Sequence, residues 1–118
     1  MERSDSLEMQ LTKHVTQEDM TLYSGPGNIH SDLEVAQRTG LDATIAQGVM
    51  TLAYASELMT RIWGPSWLER GQIEVKFTKP VFAGDTVTVR AEESEGAYDV
   101  VAVNQNDETL MVGVARLA

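Results

Sequence analysis

Two periods divide the chain. From Ala46 to Ile62 the apolar residues Val49, Met50, Leu52, Ala53, Tyr54, Ala55, Leu58, Met59 and Ile62 cover most of a helical surface, which predicts a buried helix. Gly64-Pro65 ends it, and beyond that point the period becomes two. Ile73, Val75 and Phe77 alternate with Glu74 and Lys76, and Val87 and Val89 alternate with Thr86, Thr88 and Arg90. Val101 and Val103, then Leu110, Val112 and Val114, continue in the same manner and complete four expected strands. Gly84-Asp85, Glu95-Gly96 and Asn106-Asp107 supply the turns. Upstream, Leu7 to Val15 alternates loosely and predicts a first strand, after a polar stretch from Met1 to Ser6 that is expected to be frayed.

Two short helices are expected between the first strand and the long helix. Thr16-Gln17-Glu18-Asp19 has the form of a capping box and predicts a helix from Gln17 to about Tyr23. Gly25-Pro26-Gly27 breaks it. Ser31-Asp32-Leu33-Glu34 is a fuller capping box, with Ser31 as the cap, and opens a second short helix that stops near Gly40. The order of elements implies an α+β fold in which one antiparallel sheet wraps around a long central helix. A single domain spanning residues 1–118 is expected. Such a sheet leaves an open edge and part of a face uncovered, so a dimer is expected.

Composition narrows the function classes. A formal net charge of −9 opposes binding to nucleic acid or to an anionic membrane surface. The chain has no cysteine, which excludes disulfides, thiolate nucleophiles and cysteine metal sites. Its two histidines, His14 and His30, are far apart with no carboxylate cluster between them, so neither a metal site nor a cofactor is expected. The opening residues lack the basic-then-apolar order of a signal peptide and no apolar run reaches membrane-spanning length, so a cytoplasmic protein is expected.

The candidate chemistry lies in Tyr23-Ser24-Gly25-Pro26-Gly27-Asn28-Ile29-His30, a glycine-rich loop that brings a histidine to a helix start. Histidine exchanges protons near neutrality at modest cost, and the helix opening at Gly48 can offer free backbone N–H groups to a developing oxyanion. Each residue also has a plainer reading. His30 could be a loop histidine at a helix cap, and Asn28 a turn residue tolerating left-handed backbone. Ser56, Tyr23 and Tyr54 could be packing residues with polar tips. Asp32 and Glu34 are explained by capping and the helix dipole.

The loop, the Gln47-Gly48-Val49-Met50 helix start and the run Phe77-Thr78-Lys79-Pro80-Val81-Phe82-Ala83-Gly84-Asp85 resemble MaoC-like (R)-specific enoyl-CoA hydratases. The resemblance covers Gln17 to Arg90 and implies a hot-dog fold, usually dimeric, that adds water to a 2-enoyl thioester or removes it from a 3-hydroxyacyl thioester. It implies His30 as general acid/base, Asn28 as its loop partner, Gly48 N–H as oxyanion donor and Ser56 as a pocket hydroxyl. Gln47 stands where the family commonly has histidine, and Tyr23 and Tyr54 could add hydroxyls to the pocket. The family's loop carries an aspartate, and here Pro26 or Gly25 stands in its place. The implied partner is an acyl-CoA or acyl carrier thioester. Three readings follow: a hydratase or dehydratase in which another residue or a repositioned water replaces the acid, a catalytically silent subunit paired with an intact paralogue in a heteromer, or a hot-dog thioester-binding or thioesterase protein.

Overall fold

The computed structural model describes residues 9–118. The expected fraying of residues 1–6 and a strand start at Leu7 lie outside the described residues. Five strands, β1 (Gln10–His14), β2 (Gly71–Phe77), β3 (Thr86–Ser94), β4 (Ala97–Val103) and β5 (Thr109–Leu117), form one antiparallel sheet in the order β1-β3-β4-β5-β2. Four helices lie between β1 and β2: α1 (Gln17–Ser24), α2 (Leu33–Arg38), α3 (Gly48–Trp63) and α4 (Pro65–Arg70). The architecture is the expected α+β arrangement of one antiparallel sheet and a central helix.

The alternation of the strands places one apolar set toward α3. Val87, Val89 and Ala91 of β3, Val100 and Ala102 of β4, and Leu110, Met111 and Ala115 of β5 are buried with Met50, Ala55, Leu58 and Met59 of α3. Glu95 and Gly96 both have positive φ (53° and 83°), the backbone of a two-residue hairpin between β3 and β4.

Three local readings are corrected. Asp32, not Ser31, caps α2: its Oδ1 accepts from the Glu34 and Val35 amides at 3.0 and 3.3 Å. The Ser31 hydroxyl instead turns back toward the loop, where it meets the Asn28 amide at 3.3 Å. Gly64-Pro65 ends α3 as expected, but the strands do not follow at once, because the chain first turns into the short helix α4. Gly64 adopts φ 61° and ψ −141°, and Pro65 is tolerated as the first residue of α4 because that position has no intrahelical acceptor for an N–H. Finally, α3 is not buried all round. Its sheet-facing side is closed, whereas Val49 at its start is 48% exposed, because one sheet covers one side of a helix.

A buried carboxylate ties the loops at one end of the sheet. Asp85, 8% exposed, accepts from the Phe82 amide through Oδ2 at 2.9 Å and from Gln105 Nε2 through Oδ1 at 3.0 Å. Gln105 Oε1 in turn accepts from the Thr86 amide at 3.0 Å. The same turn is stitched to the end of β1, since Val15 N–H donates to Asp85 O and Gly84 N–H to Val15 O, both at 2.8 Å. This explains the sequence Phe82-Ala83-Gly84-Asp85: the glycine takes φ 95° and the acid collects the donors its turn leaves behind.

Replacing Asp85 by Ala strands those donors in a buried place and should cost about 2–4 kcal/mol of folding stability. Urea denaturation near neutral pH checks this, and a loss under about 1 kcal/mol would contradict the role assigned to the carboxylate. A second prediction concerns pH. Glu57 of α3 accepts from Lys13 of β1 at 2.9 Å, and that bond holds its carboxyl below the ordinary glutamate value. The stabilisation is therefore present above the ordinary glutamate range and is lost as pH falls through the lowered value. Both side chains are over a third exposed, so the effect is small. The stability gap between wild type and Lys13→Met should be measurable near neutrality and should close in acid, once the pH lies below the lowered Glu57 value. A gap that persists in acid would show that packing, not charge, is responsible.

Candidate active site

The histidine loop is built by its own side chains. Asn28 Oδ1 accepts from the His30 amide at 2.8 Å and from Ser31 Oγ at 3.4 Å. Asn28 Nδ2 donates to the carbonyls of Ser24 and Gly25 at 3.1 and 3.3 Å. Both donors and both acceptor directions of the amide are thereby occupied. Asn28 shapes the loop that presents His30, and its side chain offers no unoccupied group to a water. Gly25 and Gly27 take φ 76° and 80°, which lets the loop reverse between α1 and the residues before α2.

His30 is half-buried and its ring is fixed by one bond, from Nδ1 to the carbonyl of Ile45 at 2.7 Å. A carbonyl oxygen can only accept, so Nδ1 carries the proton. In the neutral ring Nε2 then holds the lone pair. The Ile45 N–H also donates to Ile29 O at 3.2 Å, so the backbone of Ile45 grips the loop at the histidine ring and at the residue before it. The loop is held from below as well. Gln17 Nε2 donates to His30 O at 2.9 Å, and Gln17 Oε1 accepts from the buried Thr44 hydroxyl at 2.6 Å.

Ile45 also joins the sheet side of the molecule. It forms an isolated antiparallel bridge with Phe82, and the Ala46 amide donates to Val81 O at 2.7 Å. Two residues later α3 begins. Thr16 and Asp32 cap α1 and α2 with their side chains, and the first turns of those helices contain Glu18, Asp19 and Glu34. The start of α3 has neither device: Gln47 makes no capping bond and the first turn contains no acid. Of its first-turn amides, Met50 N–H donates to Gln47 O at 3.0 Å, and no local carboxylate competes for those of Gly48 and Val49.

A cleft of about 390 Å³ opens there, bordered by Gln47, Gly48, Thr51, Phe77, Lys79 and Val81. Phe77, half-exposed at the end of β2, lays its ring edge against Gly48. A Cβ at residue 48 would stand 3.0 Å from Phe77 Cζ, tighter than ordinary contact. Glycine at 48 therefore serves two ends, an accessible amide and room for the ring.

The remaining sequence-read residues are spread around this centre. Ser56 lies eight residues beyond Gly48, about 12 Å along the helix at ~1.5 Å per residue. Its hydroxyl accepts from Trp67 Nε1 at 2.9 Å and ties α3 to α4. Trp67 stacks on Trp63, which meets Tyr98 edge-on, so this end of α3 is an aromatic clamp. Tyr54 packs on the core, with Lys13 Nζ 6.0 Å from its ring centroid. Burial first, and the negative charge of Asp19 next, push its phenol above the ordinary tyrosine value, so it is a neutral hydroxyl. Tyr23, on α1, is 48% exposed. His30, Asn28, Gln47 and Gly48 thus belong to one neighbourhood through Ile45, while Ser56 lies further along α3. Nothing in the residue pattern marks Gln17, Ile45 or Phe77 as site residues: two of these act through a backbone carbonyl or a supporting amide, and the third reads as an ordinary strand residue.

Among the described residues, no cluster of three or more His, Asp or Glu side chains could hold a metal ion. No helix among them is long and apolar enough to cross a membrane.

Known proteins share this architecture. The chain superimposes on the unliganded R-hydratase PhaJ1 from Pseudomonas aeruginosa with a TM-score of 0.74 and 24% identity, over 90% of this chain and 75% of that one. It is similar to the (R)-hydratase of A. caviae involved in PHA biosynthesis (TM-score 0.67, 20% identity, 92% of each chain). It is also similar to a chain of the ChsH1–ChsH2 complex from Mycobacterium tuberculosis (TM-score 0.70, 17% identity, 92% of this chain and 93% of that one). No curated protein matches the chain. At these identities the likeness speaks for the fold, which is the hot-dog fold of the R-hydratases. Residues 2–113 match the MaoC like domain, and the chain belongs to that family of hydratases and dehydratases.

Proposed function

We propose that the protein is a hydro-lyase that adds water to a 2-enoyl thioester, or removes it from a 3-hydroxyacyl thioester, with His30 as its general acid/base. The observation that carries this reading is the junction at Ile45. One peptide fixes a histidine with Nε2 as the basic nitrogen, three residues before a helix start that has no cap and no acid. With the thioester carbonyl at the Gly48 amide, electron density drawn into the carbonyl makes carbon 3 electrophilic. His30 Nε2 removes a proton from water as the oxygen bonds to carbon 3, giving an enolate-like state whose oxygen faces the Gly48 amide. The imidazolium then returns the proton to carbon 2, and H and OH have been added across the double bond on one face. Dehydration is the reverse. Gln47 borders the cleft and offers a neutral hydrogen-bonding group there; on this reading Tyr54 and Tyr23 are assigned to the acyl path as hydroxyls, and Ser56 to its far end, where it already accepts from Trp67.

The residues Gly25-Pro26-Gly27-Asn28-Ile29-His30 contain no carboxylate, so the aspartate that the family resemblance implies has no counterpart in this loop. That observation favours a second reading, in which the chain is the silent member of a heteromer with an intact paralogue. The likeness to a chain of a two-component complex is compatible with it. Thioester hydrolysis is disfavoured: Glu57 is the first acid on α3, and it is engaged by Lys13 at 2.9 Å and Arg61 at 3.1 Å. In either assembly, the free edge of β2 and the exposed Val49 and Phe77 offer the surface on which a second subunit would close the open side of the cleft.

The test is loss of enoyl-thioester absorbance when the purified chain, alone and as a homodimer by light scattering, meets crotonyl-CoA. His30→Ala should lower the rate by roughly 10²–10⁴-fold, the usual contribution of a general base. The rate should follow a single ionisation, and a two-limbed profile would require an acid outside this account. A folded dimer with no turnover would favour the silent-subunit reading, and a rate indifferent to His30→Ala would overturn the mechanism.

A further inference from the structure

The chain has 18 acidic and 9 basic side chains, yet the only charged residue bordering the cleft beside Gly48 is a cation, Lys79. Its position is fixed from both directions. Thr78, just before it, donates its amide to Leu110 O at 2.9 Å and its hydroxyl to Thr109 O at 2.7 Å. Pro80, just after it, has a restricted φ. The ammonium lies 3.2 Å from Glu108 Oε2.

Glu108 is itself held in place. Its Oε1 accepts from Asn104 Nδ2 at 2.9 Å, and Asn104 Oδ1 accepts from the amides of Asn106 and Glu108 at 2.9 and 3.0 Å. The Asn104 amide first, then Lys79, keep this carboxyl below the ordinary glutamate value, so it is ionised at neutral pH. The side chains of the pair remain 53% and 46% exposed. An ion pair so exposed has little net strength, whereas the phosphate of a thioester handle needs a cation and presents more than one charged acceptor oxygen, and CoA as a whole carries more negative charge than one carboxylate. The cleft therefore offers two electropositive features, the uncapped start of α3 and an ammonium held by a carboxylate it can readily exchange.

We propose that Lys79 anchors a phosphate of the thioester's handle, a phosphopantetheine arm as in CoA, and that Glu108 holds the ammonium ready and yields it when the phosphate arrives. This rests on the thioester reading of the cleft and deepens it by naming the part of the substrate that is gripped. The phosphate next to pantetheine is common to CoA and to carrier-protein thioesters, whereas the nucleotide phosphates belong to CoA alone.

Crotonyl thioesters of pantetheine, phosphopantetheine and CoA separate these cases. In Lys79→Ala the preference, as a ratio of kcat/KM, for phosphorylated over unphosphorylated handles should fall about ten-fold. It should be retained in Lys79→Arg, which keeps the cation, and should rise in Glu108→Gln, which removes the competitor. Loss of the phosphopantetheine-over-pantetheine preference would assign the contact to the shared phosphate. Loss confined to CoA over phosphopantetheine would assign it to the nucleotide phosphates. Preferences unchanged in Lys79→Ala and Glu108→Gln would overturn the proposal. If the wild-type chain turns over none of the thioesters, the hydratase reading fails separately. Calorimetric titration with unacylated CoA, phosphopantetheine and pantetheine then decides this one by the same comparisons of affinity.

Discussion

The backbone of Ile45 is the constraint on which the arrangement of the site depends, because its carbonyl and its N–H are both bonded. Its carbonyl takes the proton-bearing nitrogen of His30 at 2.7 Å and its N–H goes to Ile29 O at 3.2 Å, while its bridge to Phe82 ties the segment to the sheet end. Phe82 is in turn set by the buried carboxylate of Asp85. A chain of short contacts thus runs from Asp85, through a turn and a single bridge, to the ring of the histidine. None of these bonds needs to be strong. Each removes freedom from a group whose placement the chemistry requires, which is where a folded scaffold contributes most to a reaction.

The electrostatics follow the same economy. The protein is strongly acidic, and its acids help to start α1 and α2, where carboxylates in the first turn suit the helix dipole. At α3 that device is missing, and a glycine allows an aromatic ring to rest against the turn without a side chain in the way. An uncapped helix start costs stability in an ordinary setting. Here it leaves the amide of Gly48 without a capping acceptor at a cleft whose one charged border residue is a lysine.

Much of this was legible in the residue pattern, for definite reasons. The change of period after Gly64 reported helix and strands because side chains repeat every 3.6 residues in one and every two in the other. Thr16 was legible as a cap because it precedes a helix with no competing acceptor beside it. Ser31 and Asp32 adjoin, and the choice between them was settled by Asn28, which draws the serine hydroxyl back into the loop. The exposure of Val49 was not legible, since periodicity counts apolar positions without saying how much surface one sheet can cover. The bond that Ser56 accepts from Trp67 at 2.9 Å was not legible either, since only the turn into α4 brings the two together. The Ile45 carbonyl left no trace, because a backbone acceptor imposes nothing on the residue that carries it.

The measurement that tests the central claim most directly is the tautomer of His30, read from ¹⁵N–¹H correlations of the imidazole ring at a pH where the ring is neutral. The chain has two histidines, so spectra of His14→Gln assign the signals. The account predicts a proton on Nδ1, held by the Ile45 carbonyl, and an unprotonated Nε2. A proton on Nε2 would mean that the Ile45 bond does not form in solution, and the base proposed for the reaction would lose its structural ground.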